Sequence, residues 1–269
     1  MDGNDARATW RNRWTLGILG NDRASRDTTD MAQWLEAGDA TAEDLPLSDG
    51  EIHFLWWFIQ GSIMEPDIRW RLRRAWGMCG RHAWGALSAE AAFYHGFLHG
   101  PAVLYVDLME RALGAFQVRG ALQVRRLVRR LRATGPCLMC EMGYNAASRG
   151  MAREKLVEEG RDTSALRAFA EETRVYWWKT VCGRCIANGA SARCRPHLLE
   201  EATLGAMRDL TGHHAQVQNI FEHLRVYKQS FVWEYHGTDT AEDRAALISA
   251  IGWCSGWLPW IGSIWSTGP

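Results

Sequence analysis

Four short segments carry paired ligands for a soft metal: Cys79-Gly80-Arg81-His82, Cys137-Leu138-Met139-Cys140, Cys182-Gly183-Arg184-Cys185 and Cys194-Arg195-Pro196-His197. Two side chains three residues apart reach one ion from a tight turn or from the first turn of a helix. Two such pairs complete the tetrahedral shell of a structural zinc. Thiolate and neutral imidazole select Zn²⁺ over Mg²⁺ or Ca²⁺, which take oxygen ligands. A helix N-terminus beside a pair further favours the thiolate. Six of the seven cysteines lie in these pairs; Cys254, alone in a Trp-rich tail, reads as a packed thiol. Zinc is therefore the expected cofactor, with iron or an iron–sulfur cluster the alternative if four cysteines share a site.

The remaining histidines carry weaker signals. His95 and His99 are four apart, one helical face; His213, His214 and His223 stand near Glu222, and His236 follows Glu234-Tyr235. Such groups are more often hydrogen-bonded core or surface histidines than ligands. The chain has no Cys-x-x-Cys-His haem attachment, phosphate-cradling glycine loop, His-Glu-x-x-His or nucleophile elbow. No general acid or base stands out without geometry.

The elements that must position these ligands are helical. Apolar periodicity is helical almost throughout and no run alternates long enough for a sheet, so the expected class is all-α. Ser48 with Glu51 three later, and Thr240 with Asp243, mark helix starts. With 269 residues, 47% hydrophobic and 23% charged, the chain is expected to fold around a substantial core. Thirty-one basic residues against 31 acidic ones exclude a uniformly basic coat. No export signal is read in the first fifteen residues, so the expected compartment is the reducing cytoplasm, where thiols stay free or bind metal.

Four regions follow: an acidic N-terminal appendage at 1–44, a first helical half at 45–134, a second half with a Cys-rich insertion at 135–252, and a Trp/Gly-rich tail at 253–269. Between Arg111 and Arg132 seven arginines occur without an acid. Phe116, Val124, Leu127, Val128 and Leu131 share one arc of the wheel and the arginines the other. The expected role is a solvated face whose acids lie elsewhere in the fold, so nucleic acid is not an expected partner. The segment from Ala245 to Pro269 lacks charge, but its Gly, Ser and Pro content argues against a membrane span. Trp253, Trp257 and Trp260 fall on one helical face, fit to pack on the chain's own domain or on a twin subunit, and Pro259 would distort that helix.

These motifs resemble an uncharacterised prokaryotic domain-of-unknown-function family built as a tandem duplication. Each half of its pattern runs Cys-Pro-x-Cys, a helical stretch, then Cys-x-x-His opening another helix. The first half is matched through Gly77 to Trp84 and Ala102 to Leu108. The second is matched at Cys137–Cys140 and at Cys194 to Leu199, and the closing helices through Glu222 to Leu224 and Glu242 to Ile251. The resemblance implies a helical metal-binding architecture and no particular activity.

Where the first Cys-Pro-x-Cys would stand, this chain reads Leu45-Pro46-Leu47-Ser48. Leu45 lies 34 residues before Cys79, and Cys137 lies 57 before Cys194, so the second half is 23 residues longer. Its extra length carries Cys182 and Cys185. One assignment keeps Cys137, Cys140, Cys194 and His197 as the family-like site and recruits Cys182 and Cys185 to complete Cys79 and His82. A rival groups Cys137, Cys140, Cys182 and Cys185, and a third is a polynuclear centre. Two function classes follow. One is a binding or scaffold module with structural zinc, compatible with a homodimer. The other is a metalloenzyme or small-molecule-binding protein of a specialised biosynthetic pathway. In the latter, Trp56, Trp57, Trp70, Trp76, Trp84, Trp177 and Trp178 would line a pocket.

Overall fold

The computed structural model describes residues 46–265 except 95, 118–119, 121 and 208–209. The appendage at 1–44, Leu45, His95 and Arg119 lie outside the described residues. The described residues are helical and include no strand, as the periodicity predicts.

Helix α1 (Asp49–Ile59) starts at the expected capping box. Ser48 Oγ accepts from Glu51 N–H and the Glu51 carboxylate accepts from Ser48 N–H. Helix α2 (Pro66–Ala75) opens on Pro66, whose fixed φ suits a first turn. Helices α3 (Gly80–Phe93) and α4 (His99–Phe116) follow. Short α5 (Gln123–Leu131) turns Leu127 and Leu131 into the core and leaves its arginines outside. Then come α6 (Leu138–Glu141), α7 (Glu154–Arg161), α8 (Ser164–Trp177), α9 (Arg195–Thr203), α10 (Leu210–Gln229) and α11 (Ala241–Ser255). The second capping box, Thr240 with Asp243, opens α11.

The core is built around α11. Nearly every residue from Ala245 to Cys254 is buried, so this helix is apolar all round and is packed on all sides. Helix α10 fills the space between α4 and α11, and α8 covers another flank of α11. Helix α3 joins α8 to an outer layer of α1 and α7. The two smallest ligand-bearing helices sit at the margins: α6 against α2, and α9 between α5 and α11.

The Trp-rich tail packs on its own domain. Trp253, Trp257 and Trp260 are fully buried. Trp260 stacks on Trp84 at 4.8 Å between centroids, and Trp257 stacks on Trp177 at 5.9 Å. Trp84 Nε1 donates to Gly256 O at 2.8 Å, closing the turn after α11. Gly252 makes this return possible, since a Cβ there would lie 2.2 Å from the Trp257 ring. The chain after Pro259 winds as a π-helix over Trp260–Trp265. Among the described residues no helix is long and apolar enough to cross a membrane.

The tryptophans proposed as a pocket separate into two populations. Trp76, Trp84 and Trp177 are fully buried among other side chains, whereas Trp56, Trp57 and Trp70 face solvent; half-buried Trp178 packs edge-on against Trp177. They therefore do not line one cavity. A different cavity, of about 20 Å³, lies among Phe58, Met78, Leu87, Glu90, Tyr105 and Ile251, with room for about one water.

Glu90 is the buried acid of that cavity, accepting a 3.3 Å bond from Gly100 N–H at the start of α4. Burial pushes its carboxyl up to about 8. The unfolded chain releases this proton near 4.5. The contribution to stability is therefore complete below about pH 4.5 and declines as pH rises toward 8. Glu90→Gln is expected to flatten this decline and to raise the melting temperature at pH 8 by roughly 3–6 °C, with no gain at pH 4. Thermal denaturation of both proteins across pH 4–9 checks this; parallel pH profiles would contradict it.

Candidate metal centres

The structure gathers the eight predicted ligands into two groups of four: Cys79, His82, Cys137 and Cys140, and Cys182, Cys185, Cys194 and His197. Within each group the ligand atoms all lie within 4.8 Å of one another. This corrects both pairings drawn from the sequence. Cys182 and Cys185 do not complete Cys79 and His82, and no four-cysteine group forms. Each group is three thiols and one imidazole, so a four-sulfur iron site has no counterpart among the described residues.

The chain path explains the outcome. Cys79 is the N-cap of α3, so His82 lies in its first turn. Helices α4 and α5 run out and back, returning residues 132–141 to the end of α2. Thr134 N–H donates to Arg74 O at 2.9 Å, and Arg71 pairs with Glu141 at 2.5 Å. Cys137, the N-cap of α6, and Cys140 within it thereby arrive beside Cys79. The second group closes locally. Cys182 and Cys185 flank a turn with Cys185 N–H donating to Cys182 O at 3.0 Å, and Cys194 caps α9. Gly183 is required in that turn, where a Cβ would lie 2.1 Å from Ala190 O.

The distances are those of a tetrahedron. In the first centre Nδ1 of His82 is 3.3 Å from Cys79 Sγ, 3.4 Å from Cys137 Sγ and 3.3 Å from Cys140 Sγ, and Cys79 and Cys140 are 3.8 Å apart. In the second, Nδ1 of His197 is 3.2, 3.4 and 3.3 Å from Cys182, Cys185 and Cys194, and Cys185 and Cys194 are 3.8 Å apart. Bonds of zinc length to sulfur and nitrogen give tetrahedral edges of about 3.8 Å for S···S and about 3.5 Å for S···N. The donor set therefore fits a tetrahedral thiophilic ion in both places.

The local electrostatics favour one thiolate in each group. The neighbouring Cys79 thiol, with His82, holds Cys137 down to about 3, while the shared proton drives Cys79 up. Cys182 is likewise held down by Cys185 and Cys194, and Cys194 is driven up. Burial opposes a charge on His82, yet Cys137 and Glu51 raise it to about 9; Cys182 and Cys185 raise His197 to about 10. An incoming cation would displace these shared protons and release its negative partners from mutual repulsion.

The two centres differ behind the histidine. His82 Nε2 is 2.9 Å from Oε1 of Glu51, a fully buried carboxylate. Glu51 also accepts from Arg81 Nε at 2.8 Å, Arg81 Nη2 at 2.7 Å and Ser48 N–H at 2.6 Å. Burial would raise its pKa, but these donors hold it well below the usual carboxylate range. When an ion displaces the Nδ1 proton, a carboxylate at Nε2 keeps the remaining ring proton there and leaves the Nδ1 lone pair aimed into the space between the three sulfurs. His197 is half-buried and no described carboxylate meets its Nε2. Sequence reading identified Ser48 and Glu51 as a helix cap. Nothing in their spacing connects Glu51 to a histidine 31 residues away.

Among the described residues no other histidine joins a metal group. His223 Nδ1 bonds Asp243 at 2.7 Å and His214 packs on Phe116. His99 packs on Phe231. No protein-family model, curated protein or solved structure matches the chain.

Glu51→Gln is expected to lower metal affinity at the first centre about 10- to 100-fold and leave the second unchanged. It should also destabilise the fold by about 3 kcal/mol, because the buried Arg81 would lose the carboxylate it pairs with. Competition of the bound metal against a chromophoric chelator resolves the two affinities. Equal loss at both centres, or none, would contradict the assignment.

Proposed function

We propose that this chain is a zinc-binding helical module in which two three-cysteine, one-histidine centres are structural, and that it acts as a binding or scaffold protein. The observation that carries this reading is closure. Each centre has four protein ligands at tetrahedral spacing, which fills the shell and leaves no position for a substrate or an activated water. The first centre would clamp the start of α3 to the segment that returns from α5. The second would clamp the 182–185 turn to the start of α9. The cavity beside Glu90, at about 20 Å³, is too small for a substrate and gives the enzyme alternative no support.

Both halves place Cys-x-x-His at the opening of a helix that leads to a long helix, α3 to α4 and α9 to α10. That parallel supports the reading of an internal duplication related to the family described above. In this chain the first Cys pair of the pattern is replaced by the cap of α1, and Cys137 and Cys140 complete the first centre beside Cys79 and His82.

Elemental analysis of chain purified without chelator is expected to return two equivalents of zinc. Cys137→Ser should lose one and Cys182→Ser the other, with each variant keeping the far-UV signature of helix. Retention of both equivalents in either variant, or less than half an equivalent in the parent, would overturn the reading.

A further inference from the structure

Among the described residues nothing neutralises the arginine face of α5. Arg125, Arg126, Arg129, Arg130 and Arg132 are exposed, and among the described residues no carboxylate pairs with any of them. Arg130 donates to Gly114 O at 2.6 Å, a bond that orients a guanidinium without cancelling its charge. The acids expected to answer these arginines are not found among the described residues, and those of the 1–44 appendage lie outside them. On an otherwise charge-balanced chain, unscreened cations one helical turn apart, about 6 Å along the axis, form a local positive ridge.

The ridge continues onto a second element. Arg74 Nη2 donates to Thr134 O at 2.6 Å, which ties the end of α2 to the segment just after Arg132. The Arg74 guanidinium lies 4.5 Å from the ring centroid of Trp70. Trp70 is 58% exposed, unusual for so large an apolar ring. A row of planar bidentate phosphate donors that ends on an exposed indole is the surface chemistry of a single-stranded nucleic-acid site: arginines track the backbone and the aromatic stacks a base. An anionic bilayer fits less well. Leu127 and Leu131 are buried in the core, and only Leu122 and Val124 at the start of α5 remain exposed, a small apolar surface to sink between acyl chains.

We infer that the α5 arginines, with Arg74 and Trp70, form a sequence-independent binding surface for single-stranded nucleic acid. The inference does not depend on which metal fills the two centres. The probe is a fluorescein-labelled twenty-nucleotide oligothymidylate, read by anisotropy between 50 and 300 mM salt. The full-length parent is expected to bind with log affinity falling linearly in log salt. Arg125→Gln, Arg126→Gln and Arg129→Gln combined should reduce affinity at least tenfold at 50 mM salt. The same variant should make the salt slope shallower by about 2, the share of three phosphate contacts on a single strand. Trp70→Ala should weaken binding at least fivefold with an unchanged slope, because stacking releases no counterions. Unchanged far-UV spectra and metal content in both variants attribute these losses to the surface. No parent binding at 50 mM salt up to 50 µM chain would overturn the inference. So would a triple variant that binds like the parent, or binding confined to vesicles of phosphatidylserine and phosphatidylcholine.

Discussion

A carboxylate removed from water must have its lone pairs filled, and much of the first half of this fold is arranged to satisfy Glu51. Its two oxygens take four donors, from Ser48, both arms of Arg81 and His82. Those donors come from the start of α1 and the first turn of α3. One buried group thus caps a helix, neutralises an arginine and orients a histidine toward three thiols. Arg81 also reaches Pro46 O at 3.3 Å, and Ser48 Oγ donates to Asn145 O at 2.9 Å, so the N-terminal approach and the loop after α6 are tied to the same point. The second centre is held differently. Arg195, buried beside Cys194, donates to Cys254 O at 3.0 Å and Leu131 O at 3.1 Å, joining α9 to the ends of α11 and α5. Each centre therefore has an arginine from its own Cys-x-x-His segment that connects it to the rest of the fold.

Local features were legible in the sequence because they rest on short-range physics. The helical class follows from apolar periodicity, and the two capping boxes from residues three apart. The eight ligands follow from pairs whose spacing suits one ion. Their grouping was not legible, because it depends on where α4 and α5 return the chain. Spacing alone leaves the partner of Cys79 and His82 open over more than a hundred residues. The duplicated pattern does not set the pairing: Cys182 and Cys185 leave the gap of the missing first Cys pair unfilled and join Cys194 and His197. Cys182 to His197 closes a loop of only fifteen residues at small entropic cost, and that local solution is the one adopted.

The tail illustrates the same limit. Its lack of charge raised the question of a membrane, while its spacing of tryptophans identified a face to be buried. What the sequence did not state was the surface that receives it. Trp84, in the first turns of α3, and Trp177, at the end of α8, provide that surface. Aromatic packing thus links the helix that carries His82 to the segment leading into Cys182, so the two centres share a rigid support without sharing an ion.

The central claim is two separate, closed, mononuclear centres of identical donor type. Zinc K-edge X-ray absorption on the metal-loaded chain tests it most directly. Three sulfur scatterers at about 2.3 Å and one imidazole nitrogen at about 2.0 Å per zinc are expected, with no zinc–zinc vector. A four-sulfur shell, an oxygen ligand in place of a sulfur, or a metal–metal distance below 4 Å would contradict it.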